Sequence, residues 1–165
     1  MYCKKTLKDI PHLLIVGDIS TPKCIIENLI GNGVEDLGSV LHVRSFLDHN
    51  RIYSPPKKSF QDRICHSTGA FAFRGRWIPN NELKQNLIEH FSSWREYVST
   101  FGLLILELHT IDPRHTSASL GNTVATAYDG THGYSDQYIF EVDTMLSAAE
   151  EAGLTTDPKY QERFP

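Results

Sequence analysis

Three apolar runs, each followed by a polar exit and a helical pattern, constrain this chain more than any other feature of its sequence. His12–Asp18 (HLLIVGD), Ser39–Leu47 (SVLHVRSFL) and Gly102–His109 (GLLILELH) read as strands, the first continuous and β-branched enough to be covered on both faces. Between them, Pro22 suits a first helical turn with Thr21 as N-cap. Ile25, Ile26, Leu29 and Ile30 then repeat at helical spacing up to Gly31. Asn80 or Asn81 is placed to cap a longer helix that ends near Gly102, with Leu83, Leu87, Ile88, Phe91, Trp94 and Val98 in one stripe. A last helix is expected from about Tyr138 to Ala152, stopped by Gly153. Strand alternating with helix implies an α/β fold with a parallel sheet and crossover helices in a single domain over 1–165; a mixed α+β domain is the competing arrangement. The loop from Asn50 to Pro79 is long enough for a lid, and its Gly69–Arg74 piece alternates like a hairpin arm. Trp77, Trp94 and Phe101 are expected in the core.

Composition narrows the partners. A net charge of −4 gives no electrostatic reason to expect nucleic acid or a membrane surface. No stretch reaches the length of a spanning helix, and the polar start does not resemble a secretory signal. Cys3, Cys24 and Cys65 are odd in number and scattered, which fits reduced thiols in a cytoplasmic protein.

Ligands of open α/β sheets bind beyond the carboxyl ends of the parallel strands. The residues delivered there are Asp18 and Ile19 from the first run, Phe46, Asp48, His49 and Arg51 from the second, and Glu107, His109 and Asp112 from the third. Asp18 either caps the following turn or accepts hydrogen bonds from an adenine amine, with Ile19 against the base. A carboxylate beside an imidazole can fix its tautomer and raise its basicity, but Asp48 and His49 are sequence neighbours, and neighbours in an extended chain point opposite ways. His49 is therefore either a base or part of a surface turn. Arg44 and Arg51 read first as ion-pair partners. The segment 122–138 is rich in small and donor residues, with glycine on both sides of His132. There His132 and Gln137, with His109, could gather around one substrate oxygen or one divalent metal ion such as iron or manganese. His132 alone could serve as a general base, and a glycine-flanked surface turn explains the segment equally.

The pieces LLIVGDIS, LHVRSFLDHNRIY, GLLILELHTIDP and DGTHGYSDQYIFEVDTMLSAAEEAGL resemble the central and rear part of class I S-adenosylmethionine-dependent methyltransferases. More narrowly, they are similar to the C-methyltransferase domains of apratoxin-type polyketide starter modules. The resemblance implies a partial Rossmann-like sheet, S-adenosylmethionine as cofactor, a small or carrier-bound acyl substrate, and a divalent metal. By position it assigns Asp18 to adenine and His132 and Gln137 to the metal; Ile19 and Phe46 at the cofactor, His132 and His49 in catalysis and His109 as a further metal ligand are the accompanying expectations. The chain departs from that pattern: no glycine-rich loop precedes His12, the acidic residue that would hold the ribose is missing with it, and 155–165 is polar where closing strands should begin. A fragment, inactive alone, whose sheet a second chain completes is the expectation. A non-catalytic interaction module and a small hydrolase built on His109, Asp112, His115 and His132 are the alternatives.

Overall fold

The computed structural model describes residues 7, 9–34, 36, 40–122 and 135–162. In chain order these form α1 (Pro22–Gly31), β1 (His42–Ser45), β2 (Phe71–Phe73), β3 (Arg76–Ile78), α2 (Asn80–Trp94), β4 (Leu103–Leu106), α3 (Pro113–Ala118) and α4 (Val142–Glu151). Short 3-10 turns add Asp48–Asn50 and Pro158–Tyr160.

β1 and β4 pair in parallel, with His42 opposite Leu103 and Arg44 opposite Ile105. Two of the three apolar runs therefore lie side by side in one direction, as the α/β reading expects. Burial alternates along both strands. His42, Arg44, Leu103 and Ile105 face inward, whereas Val43, Ser45, Leu104 and Leu106 are exposed. One face of this pair is thus covered by described residues and the other is open.

The His12–Asp18 run corrects the sequence reading. It forms no strand, and Leu13, Leu14 and Val16 are exposed, Val16 almost completely. Apolar continuity says that a segment can be buried, not that a neighbour is there to pair with it. Its end is nonetheless packed: a Cβ on Gly17 would lie 2.6 Å from Ile25 Cγ1 of α1. Thr21 does stand at the N-cap of α1 with Pro22 in the first turn, but its hydroxyl bonds to the Asp18 carbonyl and does not cap the helix.

α2 is the centre of the molecule. The expected stripe of Leu83, Leu87, Ile88, Phe91, Trp94 and Val98 is buried throughout. The helix itself stops at Trp94, and residues 95–100 make turns before Gly102. Its polar flank is buried as well, at Glu82, Lys84, Gln85, Asn86 and His90. The cause is the 50–79 segment, which is stitched along α2 and is no lid. The Lys57 and Lys58 amides donate to Glu89, Arg63 donates to Gln85, and Asn81 donates to the Phe60 carbonyl. Within that segment the alternating piece does form a hairpin arm, β2 pairing antiparallel with β3. Arg76 of β3, Tyr53 and Glu82 bond to one another and pin the hairpin to the first turn of α2.

On the far side, Phe71, Phe140, Ala148, Ala149 and Ala152 join the α2 stripe in one core. Trp94 belongs to the buried set, but Trp77 (66% exposed) and Phe101 (59%) do not, contrary to expectation. α4 begins at Val142, later than the sequence suggests, because Tyr138–Phe140 runs buried and without regular structure into it. Gly153 ends that helix at φ +83°, in the left-handed region. Gly153→Ala is expected to lower stability by about 1–2 kcal/mol through that φ alone. Chemical denaturation reads it out, and an unchanged midpoint would remove the cap from the account.

Candidate functional site

The carboxyl ends of β1 and β4 deliver two carboxylates and two imidazoles into a buried polar layer. After β1, Phe46 adopts φ +55°, its amide bonding to the Leu106 carbonyl, and the 3-10 turn then buries Asp48 and His49. β4 ends directly on Glu107. The two strand ends meet there: His49 Nδ1 lies 2.5 Å from Glu107 Oε1, and the His49 amide donates to Glu107 Oε2 at 3.1 Å. Both side chains are almost wholly buried. The Leu108 amide also donates to Oε1, so Glu107 is held in place by two backbone N–H groups and one ring. An ionised carboxylate can only accept, so Nδ1 is the donor in this contact, and in the neutral ring Nε2 keeps its lone pair. The physical question left open between Asp48 and His49 has a clear resolution: the imidazole is oriented by a carboxylate 58 residues away, and its sequence neighbour serves elsewhere.

Asp48 Oδ1 accepts from Arg44 Nη1 at 2.7 Å and lies 2.8 Å from His90 Nε2 of α2. Arg44 stacks over the Trp94 ring at 4.2 Å. Burial by itself would raise the Asp48 carboxyl, but the His90 hydrogen bond and the Arg44 charge outweigh it and hold it below 3.8. For His90, burial dominates the bond to Asp48 and holds the imidazole below 6.5. Depressed groups of both kinds contribute stability above their unfolded values and lose it as pH falls through the folded ones. The imidazole limb therefore begins below about pH 6.5, well above the carboxylate limb that starts near 3.8. His90→Gln should flatten the fall in thermal midpoint between pH 6.5 and 5; an identical slope in the variant would contradict the assignment.

Arg51 lies between these pairs. Its Nε donates to Asn86 and its Nη1 to the Asp48 carbonyl, both at 2.8 Å, and its guanidinium carbon sits 5.5 Å from the Tyr138 ring centroid. Desolvation lowers its pKa to about 10, so it stays charged at neutral pH. Tyr138 is held by its own amide, which donates to the His49 carbonyl at 2.8 Å. Burial first, and then the Asp136 charge, raise its phenol to about 12, so it stays a donor. A cavity of ≈ 10 Å³ is lined by Asp48, His49, Arg51, Glu107, His109 and Tyr138, with apolar walls from Leu87 and Phe140. That is room for about one oxygen atom.

The other sequence-derived residues fall as follows. His109 reaches the same cavity, its Nδ1 3.2 Å from the Phe140 carbonyl. Gln137 donates to Asn50 Oδ1 at 2.9 Å, next to His49 in sequence. Asp18 accepts from the Ser20 amide, the turn-capping role, while the Ile19 carbonyl accepts from Trp94 Nε1. Phe46 is partly exposed beside β4. His132 lies outside the described residues. Among the described residues no group of three His, Cys, Asp or Glu side chains is placed to hold a metal ion, so the metal expectation gains no support there. Asp112 caps α3 by accepting from the Arg114 amide, which leaves the hydrolase alternative equally without support. The sequence reading put Glu107 at the strand end without assigning it a partner, and gave no site role to His90 or Tyr138. A carboxylate directly after an apolar β-run was a usable signal for Glu107; His90 and Tyr138 carried none.

With this geometry in view, the chain belongs to the AprA MT2-like domain family, whose pattern it matches over residues 2–165. It is thus a methyltransferase-like domain, and membership implies use of S-adenosylmethionine. No curated protein matches the chain. Among the described residues no helix is long and apolar enough to cross a membrane.

The cavity at the strand ends is far below the roughly 300–1,000 Å³ of small-molecule sites. A more open groove of ≈ 490 Å³ beside Arg63, Cys65, Trp77 and Asn80 shares no lining residue with it. Asp18, the residue assigned to adenine, is turned back onto its own loop.

Proposed function

We propose that this domain methylates the α-carbon of an acyl group, free or carrier-bound, within a partial Rossmann-like methyltransferase fold, and that His49 is the general base. One observation carries the reading: a buried imidazole whose Nδ1 is fixed by Glu107 at the carboxyl edge of two parallel strands, in a chain matched end to end by a methyltransferase-like family. Methyl transfer to carbon requires the acceptor to lose a proton, and an oriented imidazole with a bare Nε2 is the side chain suited to take it. S-adenosylmethionine supplies the electrophilic methyl group; the strand-end cavity is too small to enclose it, and the isolated chain is expected to bind it weakly. Calorimetric titration should give a Kd above the micromolar range, and submicromolar affinity would contradict that.

The functional test is methyl transfer from isotopically labelled S-adenosylmethionine at millimolar concentration to an acyl thioester of N-acetylcysteamine. Label on the α-carbon supports the reading. Label on oxygen or sulfur, or no transfer at all, counts against it.

A further inference from the structure

We infer that Arg51 and Tyr138 form an oxyanion site, so that the acceptor of this domain is a carbon acid whose proton lies α to a carbonyl oxygen. The inference rests on His49 acting as the base. It adds the group that receives the negative charge once the proton leaves.

Two donors point to it. Arg51 uses Nε and Nη1 on Asn86 and on the Asp48 carbonyl, and its Nη2 is buried with no hydrogen-bond partner among the described residues. The Tyr138 hydroxyl is in the same condition. Each residue is only 2% exposed, and a buried donor left unsatisfied is destabilising. The two orphaned donors border one cavity, together with the unpartnered Asp48 Oδ2. Both residues line the ≈ 10 Å³ cavity that His49 and Glu107 also line.

The space accepts one oxygen and no larger group, which suits a carbonyl oxygen entering from a substrate held outside. The Asp48 and Glu107 carboxylates line the same cavity, so it is the two donors, and not the net charge of the lining, that favour an oxyanion there. Arg51 is cationic and Tyr138 neutral at pH 7, and fixed donors in a water-poor site stabilise developing charge without having to reorient. Tyr138 is tied by its amide to the His49 carbonyl, so base and donor move as one piece.

In the step itself the α C–H bond breaks and its proton passes to His49 Nε2. The bonding electron pair shifts through the carbonyl carbon onto the oxygen, giving an enolate that accepts hydrogen bonds from Arg51 Nη2 and the Tyr138 hydroxyl. Without methyl transfer the proton returns to carbon, so the chemistry is observable without a cofactor.

The test is proton exchange of an acyl thioester of N-acetylcysteamine in D2O, followed by NMR with the full chain. The wild-type protein should accelerate α-deuteration. Tyr138→Phe should slow it by about 10²–10³-fold with KM little changed, as loss of one oxyanion donor does elsewhere. Arg51→Lys, which keeps charge but not the planar fork, should fall in the same range, with thermal midpoints recorded to confirm folding. His49→Gln should abolish exchange. If exchange depends on His49 but is unchanged in folded Tyr138→Phe and Arg51→Lys, the oxyanion site is wrong and the base stands. If the wild-type protein gives no exchange, the base is wrong and the oxyanion site goes with it.

Discussion

Asp48→Ala is expected to destabilise the fold by about 3–5 kcal/mol, the cost of removing one partner from a buried ion pair. Asp48 is 1% exposed and its Oδ1 serves Arg44 and His90 together. Without it, the Arg44 guanidinium stays buried over Trp94 with no counter-charge, and His90 loses its acceptor. At roughly 2–4 °C per kcal/mol for a chain of this size, the thermal midpoint should fall on the order of 10 °C. Replacing Asp48 does not touch the His49–Glu107 bond. A loss of activity with an unchanged midpoint would therefore reverse the roles assigned to the two acidic residues. The double variant Arg44→Met, Asp48→Leu should recover part of the loss, since two matched apolar groups leave no stranded charge.

The second large effect falls on chemistry. His49→Ala should lower the rate of α-carbon methyl transfer by about 10²–10⁴-fold, the usual contribution of a positioned general base. Glu107→Gln should cost nearly as much for a different reason. A glutamine amide can donate to Nδ1, which moves the ring proton to Nε2 and removes the lone pair that accepts the substrate proton. The two losses should not add in the double variant, because both disable one unit. Additive losses, or a Glu107→Gln protein with near-normal turnover, would show that the carboxylate only anchors the β4 exit through the His49 and Leu108 amides.

Much of this architecture is legible in the sequence where one local rule acts alone. The α2 stripe is buried because helical spacing puts Leu83, Leu87 and Phe91 on one face, and Gly153 stops α4 because only glycine is at ease at φ +83°. β1 and β4 read as strands from apolar patterning, and their parallel pairing follows from the helix between them. His12–Asp18 fails for the converse reason: a strand needs a partner, and no local pattern states whether one is present. The burial of Glu82, Lys84, Gln85 and Asn86 was equally hidden, since it depends on where the 50–79 segment lies.

The strand-end rule placed Asp48, His49 and Glu107 beyond the carboxyl ends of β1 and β4, where the structure has them. What it could not supply was the pairing. Sequence adjacency leaves it open whether Asp48 serves His49, and the 3-10 turn sends these side chains to different partners, Arg44 and His90 for one and Glu107 for the other. Trp77 and Phe101 show a similar limit, because a large aromatic next to a helix or strand is not thereby inside it.

The claim that everything turns on is the protonation of one ring. Nitrogen-resolved imidazole NMR of the ¹⁵N-labelled chain, with His49 assigned by comparison with His49→Gln, reads it directly. The account predicts an Nδ1–H tautomer for His49 with its proton shifted far downfield, and loss of that signal in Glu107→Gln. An Nε2–H tautomer in the wild-type protein would leave only Nδ1 bare, against Glu107 and away from any substrate, and would contradict it.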